Sequence, residues 1–212
     1  MSIYKNILPV VCILLGSSLI FSCNNEEKKT TTTGSSDSIA IMDTTIHDMN
    51  TVQDTMTAPM VTAAVAMISG TFPDTVVTGT ATFETVTDGK IKMILAITVA
   101  AKANKTVAIH LHEHGDCGDN GKASHGHWNP ANATHGKWGS AAFHAGDIGN
   151  VKLDAKGKGS LTITTDLWTL GGTSTKNIIG KALIVHGGAD DYTTQPTGNA
   201  GERIGCGMIQ TK

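Results

Sequence analysis

The chain has 212 residues, room for one domain plus appendages, and only 16% of them are charged, for a formal net charge of -2. A chain so evenly balanced has neither the basic field of a nucleic-acid binder nor a polybasic membrane patch. Aromatics make up 4% and glycines number 24, while Val, Ile and Thr recur in short runs between turn residues, which argues for β structure with long connections over helices.

Residues 1–22 read as a secretory signal. Lys5 gives a small positive start, and the apolar run 7–21 is short for a membrane span. The run ends in Leu19-Ile20-Phe21-Ser22-Cys23, which resembles a bacterial lipobox, although Phe21 is a looser fit than a small residue. Cys23 is therefore the expected lipidation site; the plainer alternative is cleavage nearby that leaves Cys23 free or paired. Each buried acyl methylene would add roughly 0.8 kcal/mol of membrane affinity. The expected location is the cell envelope, exported and lipid-anchored, on the periplasmic side or the outer surface. Residues 23–60 are rich in Thr, Ser and Asp, cannot bury enough apolar surface to fold alone, and read as a flexible tether. His47, Met42, Met49, Met56 and Met60 are soft enough for copper, but their wide spacing favours the tether.

A folded domain is expected over residues 61–212. TAAVAMISG, VVTGTATFETV, GKIKMILAITVA and TVAIHLHEH alternate as half-buried strands do, and the Asp88-Gly89 pair between two of them signals a hairpin. GNVKLDAKGKGSLTITTD and NIIGKALIVHGG carry further strands. About eight strands with long loops predict an all-β fold, a Greek-key β-sandwich or flattened eight-stranded barrel.

The stretch from His110 to Asp147 holds seven of the nine histidines. His110 and His112 are two apart on a strand, so both imidazoles face one way and can grip one ion. His125, His127, His135, His144 and Asp147 follow on a Gly-, Asn- and Ser-rich loop, which needs a reason to be ordered; metal supplies one. Solvated loops do not concentrate imidazole, so metal binding outweighs chance.

Of the four cysteines, Cys12 lies in the signal and Cys23 at its end. Cys117 and Cys206 would make one disulfide that an exported protein is free to keep, pinning the histidine loop to the final strand; the alternative is two buried free thiols.

The motifs HLHEHGDC, GHWNP, the following HG, FHAGDIGN, LIVHGGADD and GNAGERIGCG occur in that order. In this combination the chain resembles the copper-zinc superoxide dismutases of the bacterial exported type, over essentially all of residues 61–212. The resemblance implies copper ligands His110, His112, His127 and His186, and zinc ligands His127, His135, His144 and Asp147, with His127 shared. It implies that Asp190 bridges one histidine of each metal, that Arg203, the only arginine, guides and holds the anionic substrate, and that Thr197 lines the opposite wall of the channel. The implied reaction is dismutation of superoxide to dioxygen and hydrogen peroxide, with His127 taking up and returning a proton, and the implied role is protection of the envelope from extracytoplasmic superoxide. Monomer and homodimer both stay open. The connection from His186 to Arg203 carries no lysine, so Lys122, Lys137 or others would have to steer substrate. His114 and His125 flank the ligands, either as solvent-exposed bystanders or as a copper-capture site beside the channel. Trp128, Trp138 and Trp168 are expected to pack.

Overall fold

In the computed structural model, which describes residues 59–212, the alternating runs become eight strands. They are β1 (Ala63–Gly70), β2 (Thr78–Thr85), β3 (Ile91–Thr98), β4 (Thr106–His112), β5 (Gly149–Lys152), β6 (Lys158–Thr165), β7 (Ala182–His186) and β8 (Arg203–Thr211). The signal, Cys23 and nearly all of the tether lie outside the described residues. Every strand pair is antiparallel, in the spatial order β5-β4-β7-β8-β1-β2-β3-β6. Chain order and spatial order part company at the β3–β4 and β6–β7 connections, the Greek-key crossings that bring β4 and β7 side by side.

The two end strands meet at Gly159, where an added Cβ would stand 2.6 Å from Val151 Cγ1 and 2.8 Å from Leu153 Cδ2. A residue without a side chain lets the edges approach, and the sheet curls into a flattened, nearly closed barrel. Phe83, Met93, Leu95, Ile109, Leu111, Leu183 and Ile209 fill its interior. The Asp-Gly hairpin forms as its sequence predicts: Asp88 and Gly89 both take positive φ, and Val86 N–H donates to the Lys90 carbonyl at 2.8 Å.

β8 has no clean alternation in sequence, because Gly205 and Gly207 interrupt it. Both glycines face close neighbours: a Cβ on Gly207 would lie 2.5 Å from the Met67 carbonyl oxygen, and one on Gly205 would lie 2.8 Å from Val77 Cγ1. The tryptophans pack as expected. Trp128 and Trp168 are buried, Trp138 packs against Trp168 at 5.5 Å, and Trp168 Nε1–H donates to the Ala145 carbonyl at 2.9 Å. That bond fastens the histidine loop to the barrel.

Candidate metal centre

β4 is buried on both faces. Val107, Ile109 and Leu111 point into the barrel; His110 and His112 point outward, yet neither is exposed, because residues 113–148 fold back over them. The loop is stitched down by backbone bonds: Trp128 N–H donates to the Leu111 carbonyl at 2.8 Å, Leu111 N–H to Gly146 at 2.9 Å, and Gly146 N–H to Trp128 at 3.0 Å. His110 lies opposite Ile184, so His186, two residues on, shares its face.

A β-bulge between β7 and β8 sets the next side chain. Val185 pairs with Gly205, but His186 pairs with Arg203, which leaves Ile204 as the extra residue. Ile204 turns into the core, and Arg203 comes onto the face of His186. Unbulged register would put Ile204 there instead.

Six histidines and one carboxylate converge. His110, His112, His127 and His186 form one group and His127, His135, His144 and Asp147 another; within each, one ligand atom per residue lies within 4.8 Å of all the others. All seven residues are buried. The hydrogen bonds decide which nitrogens stay bare. His110 Nε2–H donates to Asp190 Oδ2 at 2.8 Å, leaving Nδ1 without a partner among the described residues. His112 Nδ1–H donates to the His125 carbonyl at 2.9 Å and His186 Nδ1–H to the Gly201 carbonyl at 3.1 Å. Their Nε2 atoms then stand 3.4 Å apart, two lone pairs aimed at one place rather than a hydrogen bond. His127 Nε2 is also orphaned, while its Nδ1 sits 2.8 Å from Asp147 Oδ1. His135 Nδ1 lies 3.0 Å from Asp147 Oδ2 but makes no hydrogen bond, and His144 Nδ1 lies 3.1 Å from Oδ1.

Buried nitrogens without partners cost stability unless something fills them. A metal ion in each group satisfies all of these atoms at once. Four imidazoles suit copper in both oxidation states, and three imidazoles with a carboxylate give zinc a closed tetrahedron, so the donors fit both metals.

Electrostatics keep the donors ready. Desolvation by burial lowers the pKa of His110, against the pull of Asp190. It lowers His112 well below the usual range, helped by the neighbouring His127 and His186. Burial, together with repulsion from His110, brings His127 to about 4 and His186 to about 3. At neutral pH these four rings are uncharged and can ligate. Burial alone would raise Asp147 and Asp190, but hydrogen bonds from their histidines and from backbone N–H groups hold Asp147 well below the usual carboxylate range and lower Asp190 as well.

Asp190 takes His110 on Oδ2 and, on Oδ1, His135 Nε2–H at 2.9 Å and Tyr192 N–H at 2.7 Å. Gly198 makes room for it: a Cβ there would fall 1.9 Å from Oδ1. Two clamps went unread in the sequence. Asn150 grips the Asp190 backbone, donating from Nδ2 to its carbonyl and accepting its N–H, each at 2.9 Å. Gln195 does the same to His135, again at 2.9 Å both ways. A lone amide in a loop gives no signal of its own; only the tertiary fold shows what it holds.

Cys117 and Cys206 are joined, with Cα atoms 5.7 Å apart. Cys206 stands opposite Ile184 on the outward face, so the bridge fastens the start of the loop beside the histidines. Arg203 Nη1 donates to the Gly121 carbonyl at 2.8 Å, the Ser124 hydroxyl at 3.1 Å and the Lys122 carbonyl at 3.3 Å. Partial burial lowers its pKa, and its charge in turn contributes to lowering His112 and His186. Arg203 and Lys122 share a cavity of about 270 Å³ with Phe72, Asn120, Gly201 and Glu202. Lys122 and Glu202 thus bring one charge of each sign to the cavity that Arg203 lines; Lys137 is exposed on the histidine loop and does not line that cavity. Thr197 is half-buried just before Gly198 and is likewise absent from its lining.

A Greek-key barrel with two histidine clusters sharing one imidazole defines a binuclear metalloprotein. Residues 77–209 match the family model for copper/zinc superoxide dismutase (SODC), and the chain belongs to that family. It is 38% identical over 111 residues to superoxide dismutase [Cu-Zn] 1 of Aquifex aeolicus, covering 50% of this chain and 66% of that one. It is 37% identical over 153 residues to superoxide dismutase [Cu-Zn] of Schizosaccharomyces pombe, covering 69% of this chain and 96% of that one. The chain thus spans just under two thirds of the Aquifex relative and nearly all of the fungal one. Among solved structures, the clock protein EA4 superposes with a TM-score of 0.64 at 32% identity, over 73% of this chain and 97% of the other. A double mutant of an SOD-like protein from Bacillus subtilis gives 0.61 at 29% identity, over 69% and 96%.

Proposed function

We propose that this protein dismutates superoxide at a copper site held by His110, His112, His127 and His186, next to a zinc site held by His127, His135, His144 and Asp147. The observation that carries the reading is the set of bare, neutral imidazole nitrogens with Arg203 bulged onto the same face. One of the two solved structures above is a clock protein and the other an SOD-like protein, so the fold alone argues less than this set of side chains.

Copper held by His110, His112, His127 and His186 would supply one-electron chemistry, by which one superoxide would be oxidised to dioxygen and a second, with two protons, reduced to hydrogen peroxide. The chain's own residues do the rest. Arg203, with Lys122 beside it, draws the anion in, and its planar guanidinium holds the small oxyanion at the cluster. His127 Nε2, the unpartnered nitrogen that faces the copper cluster, holds one proton between the two halves, while Nδ1 stays committed to the side of Asp147. Solvent delivers the other. Asp190 fixes the tautomers of His110 and His135 together.

The protein works, on this reading, outside the cytoplasm, tethered through a lipidated Cys23 and a flexible 23–60 segment, where it protects the envelope. The compositional case for signal and tether supports this, and the disulfide fits an oxidising compartment. The test is superoxide dismutation by full-length protein loaded with copper and zinc, beside His112→Ala, with mass spectrometry of the N-terminus from a bacterial membrane fraction. Rapid turnover that His112→Ala nearly abolishes supports the enzyme reading; two bound metals with no turnover would make the protein a metal store. An unacylated Cys23 would remove the anchor.

A further inference from the structure

A third histidine cluster lies on the surface directly above the first. His114 leaves the end of β4 and His125 comes from the far side of the loop, yet their rings meet edge to face with centroids 4.4 Å apart. Glu113 joins them, and the three offer one ligand atom each within 4.8 Å of one another, all exposed. Two backbone bonds hold the segments in that register: Glu113 N–H donates to Gly126 at 3.1 Å and His114 N–H to Ser124 at 3.2 Å.

His125 also occupies a backbone conformation foreign to it. Its φ is 62° and its ψ -143°, close to a region that essentially only glycine visits. Glycine would take this position without strain, so a histidine here bears a cost that its surroundings offset. The carbonyl of the same residue accepts the Nδ1–H of His112. One residue therefore contributes its side chain to the surface cluster and its backbone to the buried one.

We propose that Glu113, His114 and His125 form a third metal site, which takes Cu(II) from solution and serves as the entry station for the buried copper cluster; the entry role rests on the assignment of copper to that cluster. Two imidazoles and a carboxylate are nitrogen and oxygen donors of the kind Cu(II) prefers, and copper outranks the other divalent first-row ions at such a site. Three ligands leave coordination positions open, so a bound ion can be passed on. Lys181 Nζ donates to the Glu113 carbonyl at 2.9 Å. That bond steadies the backbone that carries the Glu113 side chain.

The test uses full-length protein already carrying one copper and one zinc per chain, titrated with Cu(II) against a glycine competitor. Copper is counted by mass spectrometry after desalting, and bound Cu(II) is followed by electron paramagnetic resonance. We expect one further Cu(II) per chain, with a nitrogen- and oxygen-ligated signal distinct from the buried copper. His114→Ala loses that equivalent and keeps the first two metals; His125→Gly loses it as well and raises Tm through release of strain. No third equivalent, or one that survives His114→Ala, would overturn the site. Uptake of copper by zinc-only protein then tests the station: at least a tenfold slower rate in His114→Ala, to the same final copper content, is expected, and equal rates would overturn the entry role. Neither readout depends on dismutation, so a failed enzyme reading would show separately.

Discussion

Asp190→Asn tests whether one outer carboxylate holds the two metal clusters in place. The carboxylate accepts three N–H groups, from His110 at 2.8 Å, His135 at 2.9 Å and Tyr192 at 2.7 Å. An amide of the same shape has one acceptor oxygen and presents an NH2 where the other stood. At least one imidazole must lose its acceptor, and the charge that favoured both tautomers is gone. The two histidines do not suffer alike. His110 sits in β4, bonded to strands on either side, and keeps its position whatever Asp190 becomes. His135 lies on a stretch without regular structure, its backbone clamped by Gln195 and its ring oriented by Asp190. Loss of an outer partner costs about 10–100-fold in metal affinity. We place that loss mainly on the zinc cluster, with copper affinity falling less. Equilibrium dialysis of metal-free protein against buffered zinc and, separately, copper reads both constants. Zinc affinity unchanged, or copper lost while zinc is kept, would refute the argument that rigidity of the bearing element decides the outcome.

Arg203→Ala is expected to leave copper content unchanged, lower kcat/KM by about tenfold or more through lost steering, and flatten the fall in rate as ionic strength rises; stopped-flow rates over a salt series check it. Metal-free protein should lose stability as pH falls from about 7 to about 4. The unfolded histidines protonate near 6.5, whereas folded His127 waits until about 4, so the unfolded state binds more protons throughout that window. The His127 shift alone corresponds to about 3 kcal/mol at 1.36 kcal/mol per pKa unit, read by urea denaturation at stepped pH; a flat profile would sink it. Replacing both Cys117 and Cys206 with Ser opens a connection of 89 residues. The expected loss is about 4 to 5 kcal/mol in the chain-entropy model. Because the same loop carries the Gly121 and Ser124 groups that hold Arg203, kcat/KM should fall too, at unchanged copper content.

What could be read from the sequence was whatever repeats locally. Alternation in TATFET and KMILAIT gave β2 and β3, and the i, i+2 pair His110 and His112 gave a shared face, because both follow from the two-residue period of a strand. The ligand set came through the resemblance rather than through spacing: no local rule links His110 to His186, which sit together only because the Greek-key crossing lays β7 against β4. Arg203 shows the limit most clearly. Its isolation among lysines marks it, but plain alternation along β8 puts it on the same face as Gly205 and turns it inward. The extra residue at Ile204 reverses that, and a bulge leaves no mark in the sequence beyond a glycine on either side of Cys206. The clamps of Gln195 and Asn150 are further still from local rules, since each is an ordinary loop amide until the barrel brings its partner within 2.9 Å. His125 runs the other way. The resemblance already sets it apart from the ligands, but nothing in its sequence marks the glycine-type φ that its backbone holds beneath a side chain facing solvent.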